Sequence, residues 1–134
     1  MKILLVDDDK KGRPFMREAI EKLGHIVSGE AEDGIQALSM YEKQQPDLVF
    51  MDIDIPVMDG FDVIKLIREV DREAKIIVIS GTDWAPEMVR GAGALGALKK
   101  PLRVEKIRQL LEQVAAALQK KSGKRRRHLT EYIP

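Results

Sequence analysis

Three tetrapeptides, Ile3-Leu4-Leu5-Val6, Leu48-Val49-Phe50-Met51 and Ile76-Ile77-Val78-Ile79, are apolar at every position. A strand that alternates apolar and polar residues needs cover on one face; a strand apolar throughout needs it on both. Between these runs the apolar residues return at helical spacing. Phe15, Ile20 and Leu23, with Met16 and Ala19 beside them, mark a helix that has Gly12 and Pro14 near its start and Gly24 at its end. Asp33 is a fitting N-cap for a helix carrying Ile35, Leu38 and Tyr41, and Asp59 for one carrying Val63, Ile64 and Ile67. Pro86 opens a short helix near Glu87 to Arg90, and Val104, Ile107, Leu110, Leu111, Val114 and Leu118 form the stripe of a final one. His25 to Glu30 reads as a more polar strand suited to a sheet edge, and Leu95 to Lys99 as a short fifth strand. Strand–helix units repeated five times predict an α/β domain around a mostly parallel sheet.

At 134 residues, with no linker long enough to separate two units, one domain is expected. The absence of cysteine excludes a disulfide framework and thiolate metal sites. No apolar run approaches the roughly eighteen residues of a membrane span. The N-terminal apolar run meets Asp7-Asp8-Asp9 at once and does not read as a secretory signal, so a cytoplasmic location is expected. The net charge of +1 conceals an asymmetry: residues 1–119 carry 17 basic and 21 acidic groups, residues 120–134 six and one. The expected division is a domain over 1–119 and a basic tail over 120–134, a solvated extension or the start of a linker. The tail is too short for a DNA-binding module, and nucleic-acid binding is not expected of it.

In open parallel sheets, ligands bind outside the carboxyl ends of the strands. There this chain carries Asp7-Asp8-Asp9, Asp52, Ser80 and Lys99-Lys100-Pro101. Each has an ordinary structural reading: acids that cap a helix, a loop aspartate, a turn serine, a solvated lysine. Together they read differently. Carboxylates gathered at one edge repel one another unless a cation compensates, and oxygen ligands without His or Cys point to a hard ion, Mg²⁺ or Mn²⁺. A carboxylate nucleophile, a divalent metal, a lysine and a hydroxyl are the equipment of phosphoryl transfer.

Three segments, Ile3-Leu4-Leu5-Val6-Asp7-Asp8-Asp9, Pro46 to Asp52 with Pro56-Val57-Met58-Asp59-Gly60, and Lys100-Pro101, together with Gly93-Ala94-Leu95-Gly96, resemble the receiver domains of two-component response regulators. The resemblance covers about residues 1–119 in order and spacing. It implies a flavodoxin-like, doubly wound (βα)5 fold, a five-stranded parallel sheet with strand order 2-1-3-4-5. It implies Asp52 as phosphoacceptor from a phosphohistidine. It also implies Asp8, Asp52 and the backbone carbonyl of Asp54 as metal ligands, with Asp7 reaching the metal through water. Ser80 takes the place of the hydroxyl that follows the phosphoryl group, Lys100 that of its cation, and the Lys100–Pro101 bond is expected to be cis. The implied partners are a sensor histidine kinase or histidine phosphotransfer protein and a downstream target. A dimer through the face of the fourth helix, fifth strand and fifth helix is a further possibility of the family, and no membrane partner is implied.

Two features depart from the family pattern. Ala97 stands where an aromatic switch residue is usual, and the stretch from Ser80 to Lys100 is short, so the fourth helix should be short or irregular. Asp54 and the open space at Gly81 are candidates for tuning the lifetime of the acyl phosphate. Trp84 reads first as a packing residue, and His25 and His128 as surface residues. Such a chain modifies itself and is not expected to be an enzyme for small molecules. Two other functions fit parts of the sequence: a receiver fold that docks without being phosphorylated, and a phosphatase of the haloacid-dehalogenase type. The second shares the strand-end Asp52-Ile53-Asp54, but its acidic metal pair comes late in the chain, whereas here it comes first.

Overall fold

The computed structural model describes residues 1–119. The basic tail over 120–134, with His128, lies outside them. Every apolar run becomes a strand and every periodic stretch a helix: β1 (Lys2–Val6), α1 (Gly12–Lys22), β2 (Ile26–Ala31), α2 (Gly34–Gln44), β3 (Leu48–Asp52), α3 (Gly60–Val70), β4 (Ile76–Ser80), α4 (Pro86–Ala92), β5 (Gly96–Lys99) and α5 (Val104–Gln119). All pairings are parallel and the order is β2-β1-β3-β4-β5.

The uninterrupted runs are explained by two separate cores. Alternate residues Leu4, Val6, Val49, Met51, Ile76, Val78 and Ala97 pack with residues of α2, α3 and α4. The residues between them, Ile3, Leu5, Leu48, Phe50, Ile77, Ile79 and Leu98, pack with α1 and α5. A parallel sheet sandwiched in this way has no solvent face in its central strands. Asp33 and Asp59 cap α2 and α3 as expected, accepting from the Gln36 and Phe61 amides at 2.8 and 2.7 Å. At α3's far end, Tyr41 on α2 donates its hydroxyl to Asp71 at 2.7 Å, tying the two helices. Burial first, then Asp71, pushes the Tyr41 phenol well above its usual range.

Some expectations need correction. Phe15, Ile35 and Val104 are members of predicted apolar stripes, yet all three are exposed. Each lies in the first turn of its helix. His25 is not a free surface residue. It is half-buried, with Nδ1 2.9 Å from the Met1 amino group; desolvation, and then that neighbouring charge, lower its pKa. Trp84 does pack, half-buried, against the α2–α4 layer.

Between β3 and α3 the Met58 amide donates to the Pro56 carbonyl at 2.9 Å, closing a three-residue turn with Val57 at φ 77°. A β-branched residue in that region stores roughly 1–3 kcal/mol of strain. Val57 is 69% exposed, so its side chain returns little packing. Replacing it with glycine relieves the strain and adds about 0.5–1 kcal/mol of unfolded-state entropy cost. The expected result for Val57→Gly is a net stabilisation of about 1 kcal/mol, read as a higher urea midpoint at unchanged slope. A lower midpoint would show that the turn holds Val57 without strain.

Candidate functional site

Parallel strands point one way, so the residues just past their carboxyl ends become neighbours. Val6 pairs with Met51, Asp52 with Ile79, and Ser80 with Lys99. This register brings Asp7 and Asp8, Asp52, Ser80 and Lys100 to one edge. Asp7, Asp52 and Ser80 are the buried polar side chains of the described residues, at 3%, 2% and 0% exposure, while Asp8 is exposed.

One carboxylate oxygen from each of Asp7, Asp8 and Asp52 lies within 4.8 Å of the others. Lys100 Nζ stands among them, 2.9 Å from Asp52 Oδ2 and 3.1 Å from Asp7 Oδ2. The other oxygen of each buried acid is used by the backbone: Asp7 Oδ1 accepts from the Asp9 amide at 2.9 Å, and Asp52 Oδ1 from the Asp54 amide at 2.8 Å. Asp9 in turn accepts from the Lys11 amide. These acids therefore tighten the turn before α1 and do not cap the helix, whose N-cap Lys11 makes no side-chain cap bond. The Lys100–Pro101 bond is cis.

Desolvation pushes the Asp52 carboxyl up to about 6; the Asp54 amide and Lys100 oppose this, while Asp7 adds to it. Burial works against the Lys100 charge, but hydrogen bonds and attraction from Asp52 and Asp7 outweigh it, and the lysine's pKa is raised. Such an edge has one cation for three acids. Its donor set is all oxygen, with no imidazole or thiolate, and one acid is open to water. These residues fit Mg²⁺, which takes one or two carboxylates and keeps several waters.

Gly60 is needed for this arrangement. A Cβ there would meet Ile53 Cα at 2.4 Å and the Asp52 carbonyl oxygen at 2.9 Å, so only glycine lets α3 start against the end of β3. The space expected at Gly81 is open, with nothing within 4 Å of a built Cβ. Ala97 is fully buried in the α2–α4 layer, and α4 is short at seven residues.

Asp54 does not stand free beside the acceptor. Its Oδ2 is 3.0 Å from Ser80 Oγ, which also lies 3.1 Å from the Thr82 carbonyl oxygen and 3.0 Å from Thr82 Oγ1. The Thr82 amide donates back to Ser80 Oγ at 3.0 Å. Thr82 was missed in the sequence, although Ser-x-Thr after a strand is the spacing of a side-chain-closed turn.

Comparison with known proteins agrees with this fold. The family model for the response regulator receiver domain matches residues 3–112. The chemotaxis protein CheY of Thermotoga maritima is 36% identical over 116 residues, covering 85% of this chain and 97% of that protein. CheY of Bacillus subtilis is 34% identical over 114 residues, covering 84% and 95%. Among solved structures, a CheX–CheY–BeF3–Mg²⁺ complex from Borrelia burgdorferi superposes with a TM-score of 0.82 at 28% identity, covering 86% of this chain and 89% of that one.

Proposed function

Because this chain belongs to the response regulator receiver domain family of two-component signalling, we propose that it is a phosphorylation switch charged at Asp52. The carrying observation is the buried Asp52, hydrogen-bonded to Lys100 beside Asp7 and Asp8 at the carboxyl edge of the sheet. An Asp52 oxygen attacks the phosphorus of a phosphohistidine on a histidine kinase or phosphotransfer protein. The P–N bond breaks, its electron pair returns to the imidazole, and the new P–O bond makes an acyl phosphate. The transferring group carries charge on its oxygens, so catalysis is positioning and electrostatic stabilisation. Lys100 supplies a cation to those oxygens and Ser80 a hydroxyl donor. Asp8, Asp52 and the Asp54 carbonyl are the residues to hold Mg²⁺, with Asp7 behind a water. When bound, the ion neutralises phosphoryl charge.

The output in this reading is a changed affinity for a target protein, or for a second copy, at the face of α4, β5 and α5. Charging is a single self-modification, so the chain is not an enzyme for small molecules. A cytoplasmic location belongs to the same reading; among the described residues no helix is long and apolar enough to cross a membrane.

Intact mass after acetyl phosphate treatment tests the proposal. One Mg²⁺-dependent phosphoryl adduct is expected on the natural chain and none on Asp52→Asn. An equal adduct on both would remove Asp52 as acceptor, and no adduct on either would favour docking without phosphorylation.

A further inference from the structure

Ser80 has no exposed surface, so its hydroxyl proton goes to a protein acceptor. A hydroxyl has one proton to give. Three acceptors compete for it: Asp54 Oδ2, the Thr82 carbonyl and Thr82 Oγ1, all within 3.1 Å. The Thr82 amide fixes the oxygen itself, at 3.0 Å, so the direction of the proton is the remaining freedom. Among the three, Asp54 offers a carboxylate, and hydrogen bonds to ionised acceptors are roughly twice as strong as neutral ones. Asp54 is also anchored to the acceptor, its amide donating to Asp52 Oδ1 at 2.8 Å. One residue thus touches Asp52 through its backbone and Ser80 through its side chain.

We propose that Asp54 is a positioning residue that competes with the phosphoryl group for the Ser80 hydroxyl proton, and so restrains both the charging of Asp52 and the switch that follows. The inference rests on Asp52 being the phosphoacceptor. With acetyl phosphate as donor, an Asp52 oxygen bonds to phosphorus, the P–O bond to acetate breaks, and acetate leaves with the electron pair. The phosphoryl oxygens then become a fourth acceptor. The single proton serves Asp54 or the phosphoryl group, never both. Withdrawing it from Asp54 is part of the barrier to transfer.

The test is a rate comparison at fixed acetyl phosphate and Mg²⁺, followed by intact mass, for the natural chain, Asp54→Ala, Ser80→Ala and the double variant. Asp54→Ala should charge about five- to tenfold faster, the factor set by exchanging a hydrogen bond to a charged acceptor for one to the neutral Thr82 acceptors. That gain should vanish in the Ser80→Ala background and should persist at high salt. Asp54→Asn, which keeps an acceptor oxygen without the charge, should gain less than Asp54→Ala. Equal gains with and without Ser80, or a gain lost in salt, would mean that Asp54 merely repels the anionic donor, and the inference would fall. Equal rates for the natural chain and Asp54→Ala would overturn it too, with the phosphoacceptor reading intact. Absence of any adduct on the natural chain would remove that reading and this inference together.

Discussion

Asp52→Asn should make the metal-free protein more stable at pH 7, by about 1–3 kcal/mol. Burial raises the folded-state Asp52 pKa from 3.8 to about 6. The folded chain therefore binds this proton more tightly than the unfolded chain does. The stability linked to it is complete below about pH 3.8 and is lost as pH rises through about 6. A difference of about two pH units corresponds to roughly 3 kcal/mol if Asp52 acted alone; its proximity to Asp7 spreads that cost over two acids. Asparagine has no charge to desolvate, and Lys100 keeps its contact with Asp7 at 3.1 Å. Urea unfolding should show the gain at pH 7 and its near disappearance at pH 4. Saturating Mg²⁺ should narrow the gap at pH 7, because it stabilises the form that binds it more strongly. A gain of equal size at both pH values would rule out charge burial as its cause.

The opposite substitution in the same cluster should have the opposite sign. Lys100→Met removes the cation that stands 2.9 Å from Asp52 and 3.1 Å from Asp7, both almost fully buried. Leaving a buried charge without its partner costs about 3–5 kcal/mol. The Lys100 side chain retains 26% exposure, and Asp52 relieves part of the cost by taking a proton. The expected loss at pH 7 is therefore about 2–3 kcal/mol. It should shrink toward pH 4, where Asp52 takes up its proton. Adding Asp52→Asn to Lys100→Met should recover more stability than Asp52→Asn adds to the natural chain, since groups in contact are not additive. Denaturation midpoints of the four proteins decide it. An additive cycle would show that Lys100 does not act on Asp52.

The strands were legible because burial on both faces leaves no polar position, as in Ile76 to Ile79. β2 was the least sharp, running Ile26–Ala31 where His25 to Glu30 was expected. It is an edge strand, and Ile26 at its start is 63% exposed, so burial does not mark its boundary. The failures at Phe15, Ile35 and Val104 share one cause. Periodicity reports a helix face, but not whether the first turn of that face is covered, and all three residues lie in first turns. The convergence of Asp7, Asp8, Asp52 and Lys100 was readable because strand ends in a parallel sheet must meet. The bond between Ser80 and Asp54 was not. It depends on how the chain turns after Asp52 and after Ser80, and neither turn is determined by apolar spacing.

The arrangement of Lys100 among the acids also bears on how the chain is made. Asp7, Asp8 and Asp52 all lie in the segment that builds β2, β1 and β3, which leaves the ribosome first. The lysine that balances them arrives nearly fifty residues later, 48 positions beyond Asp52. A nascent chain that paired those three strands early would gather the carboxylates without the cation that contacts Asp7 and Asp52. Early closure of that half is therefore discouraged by its own electrostatics, and the last strand carries the group that makes the first half comfortable. Domains tend to fold as units during synthesis; here the acidic edge gives a local reason for the N-terminal half to wait.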